Sequence, residues 1–321
     1  MSAWLTLIRW KNLLIIFATQ LFIWACVFLP ASSTWNHLPK SLLTPINFLL
    51  LASSTVLIAA AGYIINDYFD IRIDLINKPD KMVLEKQIPR RMAIILHGCC
   101  NLLALALAWY VAAQRTAYEW LFVQLLCTIL LWFYSTTFKR KFMIGNVTVA
   151  LLTALTILTL LVYEPSLHPF LTQAIFIKES NGATHLNPVW LLGGYAYFAF
   201  ILTWMREIVK DMEDLKGDFE EGCETMPIRW GLRRASYFTQ ALACFALLPL
   251  VLAVPSFYHS GNFIMAIYTM LALVLPLFFW IFNLHQKATA QHYARSSSQL
   301  KLIMVAGIGS LIINLISEWI Q

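Results

Sequence analysis

Nine apolar runs, each long enough to cross about 30 Å of hydrocarbon as a helix, alternate with polar segments along this chain. They lie near residues 13 to 34, 42 to 65, 92 to 113, 119 to 137, 144 to 163, 189 to 209, 236 to 254, 263 to 284 and 302 to 320. The pattern predicts an all-α polytopic membrane protein of nine transmembrane helices. Residues 1–321 are expected to form a single domain with no soluble second domain. Between the fifth and sixth runs, Glu164 to Pro188 forms a long polar segment whose apolar piece, Phe170 to Ile177, is too short to span and suits the membrane interface. The stretch from His285 to Lys301 reads as a polar loop.

Composition agrees with this pattern. With 60% hydrophobic and only 12% charged residues, the chain falls outside the range of soluble domains. Charge then sets the orientation. Threading the spans with the N-terminus in the cytoplasm puts twenty Lys and Arg inside and only Lys40, Arg115 and Lys178 outside. That asymmetry obeys the positive-inside rule, and an odd number of spans sends the C-terminus to the far side. Arg9 and Lys11 before an apolar run that ends at Pro30-Ala31-Ser32-Ser33 resemble a secretory leader. Removing it would leave eight spans and discard Asn12, so the first helix is expected to be retained.

Against this background the acidic residues stand out. Asp67, Asp70 and Asp74 repeat their D-x2-D-x3-D spacing in Asp211, Asp214 and Asp218. Steps of three and four place all three carboxylates of a set on one helical face, where they repel unless a cation lies between them. Each set also ends a long apolar run, at a helix C-terminus where the macrodipole disfavours negative charge by roughly 0.3–1 kcal/mol per group. The assumed threading places both sets on the cytoplasmic side, although acids took no part in assigning it. Hard oxygen donors without Cys or His suit Mg2+, which fills its remaining positions with water and substrate phosphate. A phosphate or diphosphate ester is therefore the expected ligand.

Basic residues crowd the same side. Lys78 and Lys81 follow the first set, Arg206 and Lys210 lead into the second, and Lys139, Arg140 and Lys141 close the fourth span. Metal plus ammonium and guanidinium groups is how phosphate charge is clamped and a phosphate leaving group stabilised. Arg90-Arg91 and Arg233-Arg234 read as topology anchors. Tyr63, Tyr68, Phe69, Trp132, Tyr134 and Trp204 are candidates for lining a lipid-chain pocket, or for the interfacial belts that Trp and Tyr form near span ends.

Other chemistries lack support. The six Cys include no C-x2-C pair, the seven His are scattered without ligand spacing, and no nucleotide-binding fingerprint occurs. No nucleic-acid partner and no obligate protein partner are expected.

Asn66-Asp67-Tyr68-Phe69-Asp70-Ile71-Arg72-Ile73-Asp74 and the segment from Arg206-Glu207 through Lys210-Asp211 and Asp214 to Gly217-Asp218 resemble the two signature motifs of the UbiA superfamily of intramembrane prenyltransferases. Arg9-x-x-Asn12 is similar to that family's N-terminal element, and Tyr134 to Lys139-Arg140, leading to Gly145-Asn146, to its segment after the fourth span. The second motif, with Asn77-Lys78-Pro79-Asp80-Lys81, is most similar to the geranylgeranylglycerol-phosphate geranylgeranyltransferase group. Two departures are present: Lys81-Met82-Val83-Leu84-Glu85-Lys86 replaces an R-P-I-P-S-G run, and Ile71 rather than Arg follows Asp70.

The resemblance implies nine helices around a central cavity and Mg2+-dependent transfer of a prenyl group, geranylgeranyl in that group, from an isoprenyl diphosphate to a lipophilic acceptor. For the group named, the acceptor is a prenylated glycerol phosphate and the product serves ether-lipid synthesis. It implies metal binding by Asp67, Asp70, Asp211 and Asp214, with Asp74, Asp218, Lys139 and Arg140 as catalytic groups. Arg9, Asn12, Asn66, Lys78, Lys81, Tyr134, Arg206 and Lys210 are the implied substrate contacts. A bacterial or archaeal cell membrane is the expected location, with the active site cytoplasmic. Two alternatives remain at this point: prenylation of an aromatic quinone precursor, and a divalent-cation carrier. A carrier would be expected to hold its acids within the spans along a path, not gathered at one face beside Lys and Arg. A CDP-alcohol phosphotransferase would need a different acidic pattern in one segment, and none occurs.

Overall fold

The computed structural model describes residues 3–29, 41–77, 82–178, 184–284 and 289–320. After a short turn of helix, Ala3–Leu7, the chain forms α1 (Trp10–Ile23, continued as a π-helical turn Trp24–Phe28), α2 (Pro45–Phe69), α3 (Ile71–Asn77), α4 (Arg90–Ala113) and α5 (Leu121–Thr136). It continues with α6 (Ile144–Val162), the two-stranded hairpin β1 (Phe176–Lys178) and β2 (Thr184–Leu186), α7 (Pro188–Glu213) and α8 (Leu215–Glu220). The last helices are α9 (Met226–His259), α10 (Phe263–Asn283, with a π-helical stretch at Thr269–Val274) and α11 (Ala290–Ile320). Among the described residues, nine helices are long and apolar enough to cross a membrane, in agreement with the nine predicted runs. The small hairpin is the only strand structure described.

Two boundaries differ from expectation. The last helix begins at Ala290 instead of near residue 302, because Tyr293 and Leu300 are buried and supply an apolar stripe that mean polarity hides. The predicted loop from His285 to Lys301 is therefore mostly helix, with residues 285–288 outside the described part. The seventh helix starts at Met226 but carries a break at Gly231 (φ 80°, ψ 157°), a conformation open to glycine.

The chain divides into two compact units. The first holds residues 1–71, 81–136 and 152–197. Its most buried helix is α2, which packs extensively on α4; Ala52, Ala60 and Ala61 of α2 and Ala104 and Ala108 of α4 are all buried. Small side chains bring backbones close enough for Ser54 Oγ to donate to the Ala104 carbonyl at 2.8 Å and for His97 Nδ1 to lie 3.0 Å from the Ala61 carbonyl. At one end of the unit, the buried Glu164 carboxylate accepts hydrogen bonds from Ser41, Leu42, Leu43 and Ser166. It thereby satisfies backbone N–H groups just ahead of α2.

The second unit holds residues 72–80, 137–151 and 198–321. Its core is a cluster that includes Met205, Ile208, Val209 and Met212 of α7 with Met226, Leu277, Trp280, Tyr293 and Leu300. That packing fixes the last two turns of α7, which carry the second acidic set.

Candidate active site

In the first unit, Asp67 lies on the last turn of α2 and Asp70 terminates that helix. Arg9 adopts a left-handed conformation (φ 51°, ψ 51°) at the start of α1, an uncommon geometry for a non-glycine residue. Its guanidinium donates to Asp67 Oδ1 at 2.5 Å and lies over the Tyr63 ring, 5.1 Å from the centroid. Burial alone would lower the Arg9 pKa, but Asp67, Tyr63 and Asp70 together raise it by more, so this residue stays charged. Asn66 Nδ2 donates to Asp70 Oδ2 at 2.6 Å. Beneath the motif, Leu7, Ile64, Ile71, Leu84, Ile88 and Ala93 form a buried cluster that ties the chain entry to the end of α2. Phe69 packs edge-on against both Tyr68 and Trp132.

In the second unit, Asp211 lies on the last turn of α7 and accepts a 2.8 Å hydrogen bond from Asn146 Nδ2 on α6. One turn earlier, the buried Glu207 bonds Lys210 Nζ with both oxygens, at 3.0 and 2.9 Å, and Arg206 at 3.2 Å. Asp218 is buried on α8. Asn77, at the end of α3, reaches the second acidic set: its Nδ2 donates to the Asp214 carbonyl at 3.1 Å, and its Oδ1 accepts from Gly217 N–H at 3.0 Å. Lys139 and Arg140 form a 3-10 turn, anchored where the Glu224 N–H donates to the Arg140 carbonyl at 2.8 Å. Gly145 lets this turn sit against the start of α6, since a Cβ there would be 2.9 Å from Lys139 Cα. Lys139 is half-buried and Arg140 exposed.

One expectation requires correction. The three carboxylates of each set do not share a continuous helix. α2 stops at Asp70 (φ −89°, ψ 0°), and the chain breaks again at Asp214 (φ −93°, ψ 9°). Both middle acids occupy the sparsely populated bridge region where active-site residues are often found. The third acid of each set, Asp74 or Asp218, opens onto a new short helix. The spacing was consistent with one helix, but it is equally met by two short helices with a turn at the middle acid.

The first unit thus assembles Arg9, Asn66, Asp67 and Asp70. The second assembles Asp211 with Asn146, Asp214 with Asn77, and Arg206 and Lys210 with Glu207. Asn12 and Tyr134 are half-buried on α1 and α5. Lys78 and Lys81 lie outside the described residues. Sequence reasoning missed Glu207 and did not pair Asn146 with Asp211. The spacing of Glu207 with Lys210, three residues apart on one helix face, was the available signal for the first. Nothing local signals the second, which depends on α6 meeting α7.

The donors suit a hard divalent cation. They are oxygens throughout, and Asn66 Oδ1, buried beside Asp70, has no hydrogen-bond partner among the described residues. Such an acceptor is satisfied by a cation or by water bound to one. Among the described residues no three acidic, His or Cys side chains form a ready-made cage. A cage is unnecessary for an ion that takes only one or two carboxylates and completes its shell with water and phosphate.

Residues 21–302 match the model of the UbiA prenyltransferase family. A digeranylgeranylglyceryl phosphate synthase of Methanothermobacter thermautotrophicus is 32% identical over 251 residues, 77% of this chain and 78% of that one. A solved structure of a digeranylgeranylglyceryl phosphate synthase shares the fold, with a TM-score of 0.64 and 23% identity over 98% of both chains. A UbiA homologue from Archaeoglobus fulgidus, solved with GPP and Mg2+ bound, has a TM-score of 0.56 at 14% identity, covering 97% of this chain and 99% of that one.

Proposed function

Because the chain belongs to the UbiA prenyltransferase family, we propose that it is the integral membrane enzyme that transfers a geranylgeranyl group from its diphosphate to a prenylated glycerol phosphate, making an ether lipid. The similarity that carries this choice of acceptor is the 32% identity to a digeranylgeranylglyceryl phosphate synthase over most of both chains. Residues 1–321 act as one prenyltransferase domain, with N-terminus and active site in the cytoplasm, the C-terminus outside, in an archaeal or bacterial cell membrane. Orientation rests on the charge asymmetry of the loops.

Asp67, Asp70, Asp211 and Asp214 are the residues that would hold Mg2+. When bound, the ion neutralises diphosphate oxygens and stabilises the charge that develops on the leaving group. Arg9, Asn12 and Asn66 serve the donor from the first set, with Lys78 and Lys81 after it. Arg206 and Lys210 are presented by Glu207, and Lys139 and Arg140 offset charge as the C–O bond breaks. Tyr134 offers an aromatic face to the allylic centre. Asp74 or Asp218 takes the proton of the attacking glycerol hydroxyl. A prenyl tail favours the bilayer by about 0.8 kcal/mol per CH2 buried. A site between spans and cytoplasm meets it without extracting it.

The test is diphosphate release by purified protein in lipid with Mg2+ and geranylgeranyl diphosphate, comparing geranylgeranylglycerol phosphate with 4-hydroxybenzoate and dihydroxynaphthoate. Release that requires the glycerol phosphate supports the proposal. Release only with an aromatic acceptor replaces the substrate, and EDTA-insensitive background with every acceptor refutes the transferase reading.

A further inference from the structure

Asp214 occupies the N-cap position of α8 yet makes no side-chain cap bond to that helix. This departs from the usual behaviour of aspartate, one of the most favourable N-cap residues, whose carboxylate normally accepts from the second or third backbone N–H of its own helix. The third N–H of α8 belongs to Gly217. It donates instead to Asn77 Oδ1 at 3.0 Å, while Asn77 Nδ2 donates to the Asp214 carbonyl at 3.1 Å. One amide from the far side of the sequence thus takes both the donor that Asp214 would cap and the carbonyl of Asp214 itself.

The backbone is cut to fit this amide. A Cβ on residue 217 would lie 2.5 Å from Asn77 Nδ2 and 2.7 Å from its Cγ and Oδ1. Gly217 has no positive φ to explain its choice, so the lack of a side chain is explained by the space Asn77 fills. Asp214 and Asp218 stand at opposite ends of the same turn, joined by the Asp218 N–H bond to the Asp214 carbonyl at 3.1 Å. Holding that carbonyl from Asn77 therefore fixes the turn that presents both acids.

We propose that Asn77 is a positioning residue: it caps α8 in trans, and so keeps the Asp214 carboxylate turned toward the cation and diphosphate rather than onto its own helix. Without Asn77, Asp214 closes onto Gly217 N–H as an ordinary N-cap and its oxygen is diverted from the site. The helix loses little, and the ion loses a ligand. This inference rests on the metal and diphosphate reading of the acidic sets.

The experiment uses the full-length protein in lipid nanodiscs with an unreactive prenyl thiodiphosphate and Mn2+ as the probe ion. Mn2+ affinity is read by EPR, and protection of the residue-217 amide by hydrogen exchange, for Asn77→Ala, Gly217→Ala and the double variant. Each single change is expected to weaken Mn2+ binding by about 10- to 100-fold, the usual cost of losing a partner that orients a metal ligand. The double variant should bind no more weakly than Asn77→Ala alone, because the methyl at 217 then meets empty space. In Asn77→Ala the 217 amide should stay protected, and lose protection only when Asp214→Ala is added. Native Mn2+ affinity in Asn77→Ala, additive losses in the double variant, or an unprotected amide in Asn77→Ala would each overturn the proposal. Should Asn77→Ala fail to insert, Gly217→Ala dislodges the same side chain and carries the test. Wild-type protein that binds Mn2+ but releases no diphosphate with any acceptor removes the transferase reading and leaves this one standing. Wild-type protein that binds no Mn2+ overturns both.

Discussion

Replacing Glu207 by Gln removes one negative charge from between two cations while keeping volume and shape. The carboxylate accepts two hydrogen bonds from Lys210 and one from Arg206, and its side chain is only 8% exposed. A hydrogen bond to a charged group contributes about 1.5–3 kcal/mol, so all three would contribute about 4.5–9 kcal/mol together if dry. The Lys210 and Arg206 side chains are 29% and 24% exposed, so water recovers a large part of each loss. A net destabilisation of about 2–3 kcal/mol follows. At roughly 2–4 °C per kcal/mol for a chain of this order of size, the melting temperature falls by about 4–12 °C. Thermal unfolding followed by tryptophan fluorescence in detergent reads this directly. Function should respond in two opposing ways. An added net positive charge lowers KM for the diphosphate donor, whereas loss of the clamp on Lys210 and Arg206 lowers kcat. An unchanged melting temperature together with an unchanged kcat would show that Glu207 neither supports nor aims these cations.

Asp67→Asn should abolish turnover while the protein still inserts and unfolds cooperatively, and near-native rates in that variant would remove Asp67 from the metal set. Gly145→Ala forces a methyl to within 2.9 Å of Lys139 Cα and the Phe138 carbonyl oxygen; because both are backbone atoms it should shift the Lys139 turn, lower the melting temperature, and cut kcat by an order of magnitude or so, as misplaced catalytic groups do, and an unchanged kcat would show that the Lys139 turn takes no part in turnover. Chelation by EDTA should stop diphosphate release, and Mg2+ should restore it; release that persists through chelation would exclude metal-assisted ionisation.

Much of this protein is determined by one-dimensional features. The number of spans depends only on runs of apolar residues long enough for the bilayer, and all nine reappear as helices. The candidate chemistry was legible for a similar reason: Asp67, Asp70, Asp211 and Asp214 are conspicuous because carboxylates at the ends of apolar helices are costly unless something offsets them. Helix ends were less legible. The burial of Tyr293 and Leu300, which extends α11 backward to Ala290, depends on neighbours far away in sequence.

What the sequence left open was how each acid is held. Asn146 donates to Asp211 across 65 residues, Arg9 to Asp67 across 58, and Asn77 binds the second set across 137 and 140. No periodicity encodes such pairs, because each forms only when packing brings two separate elements within hydrogen-bond reach. The breaks at Asp70 and Asp214 belong to the same class. Spacing counts residues, and a turn at the middle acid preserves the count while redirecting the third carboxylate. The sequence by itself determined the membrane, the spans and the ionic character of the site; only tertiary structure decided the partner and direction of each carboxylate, since those depend on which backbone and side-chain groups the fold leaves beside it.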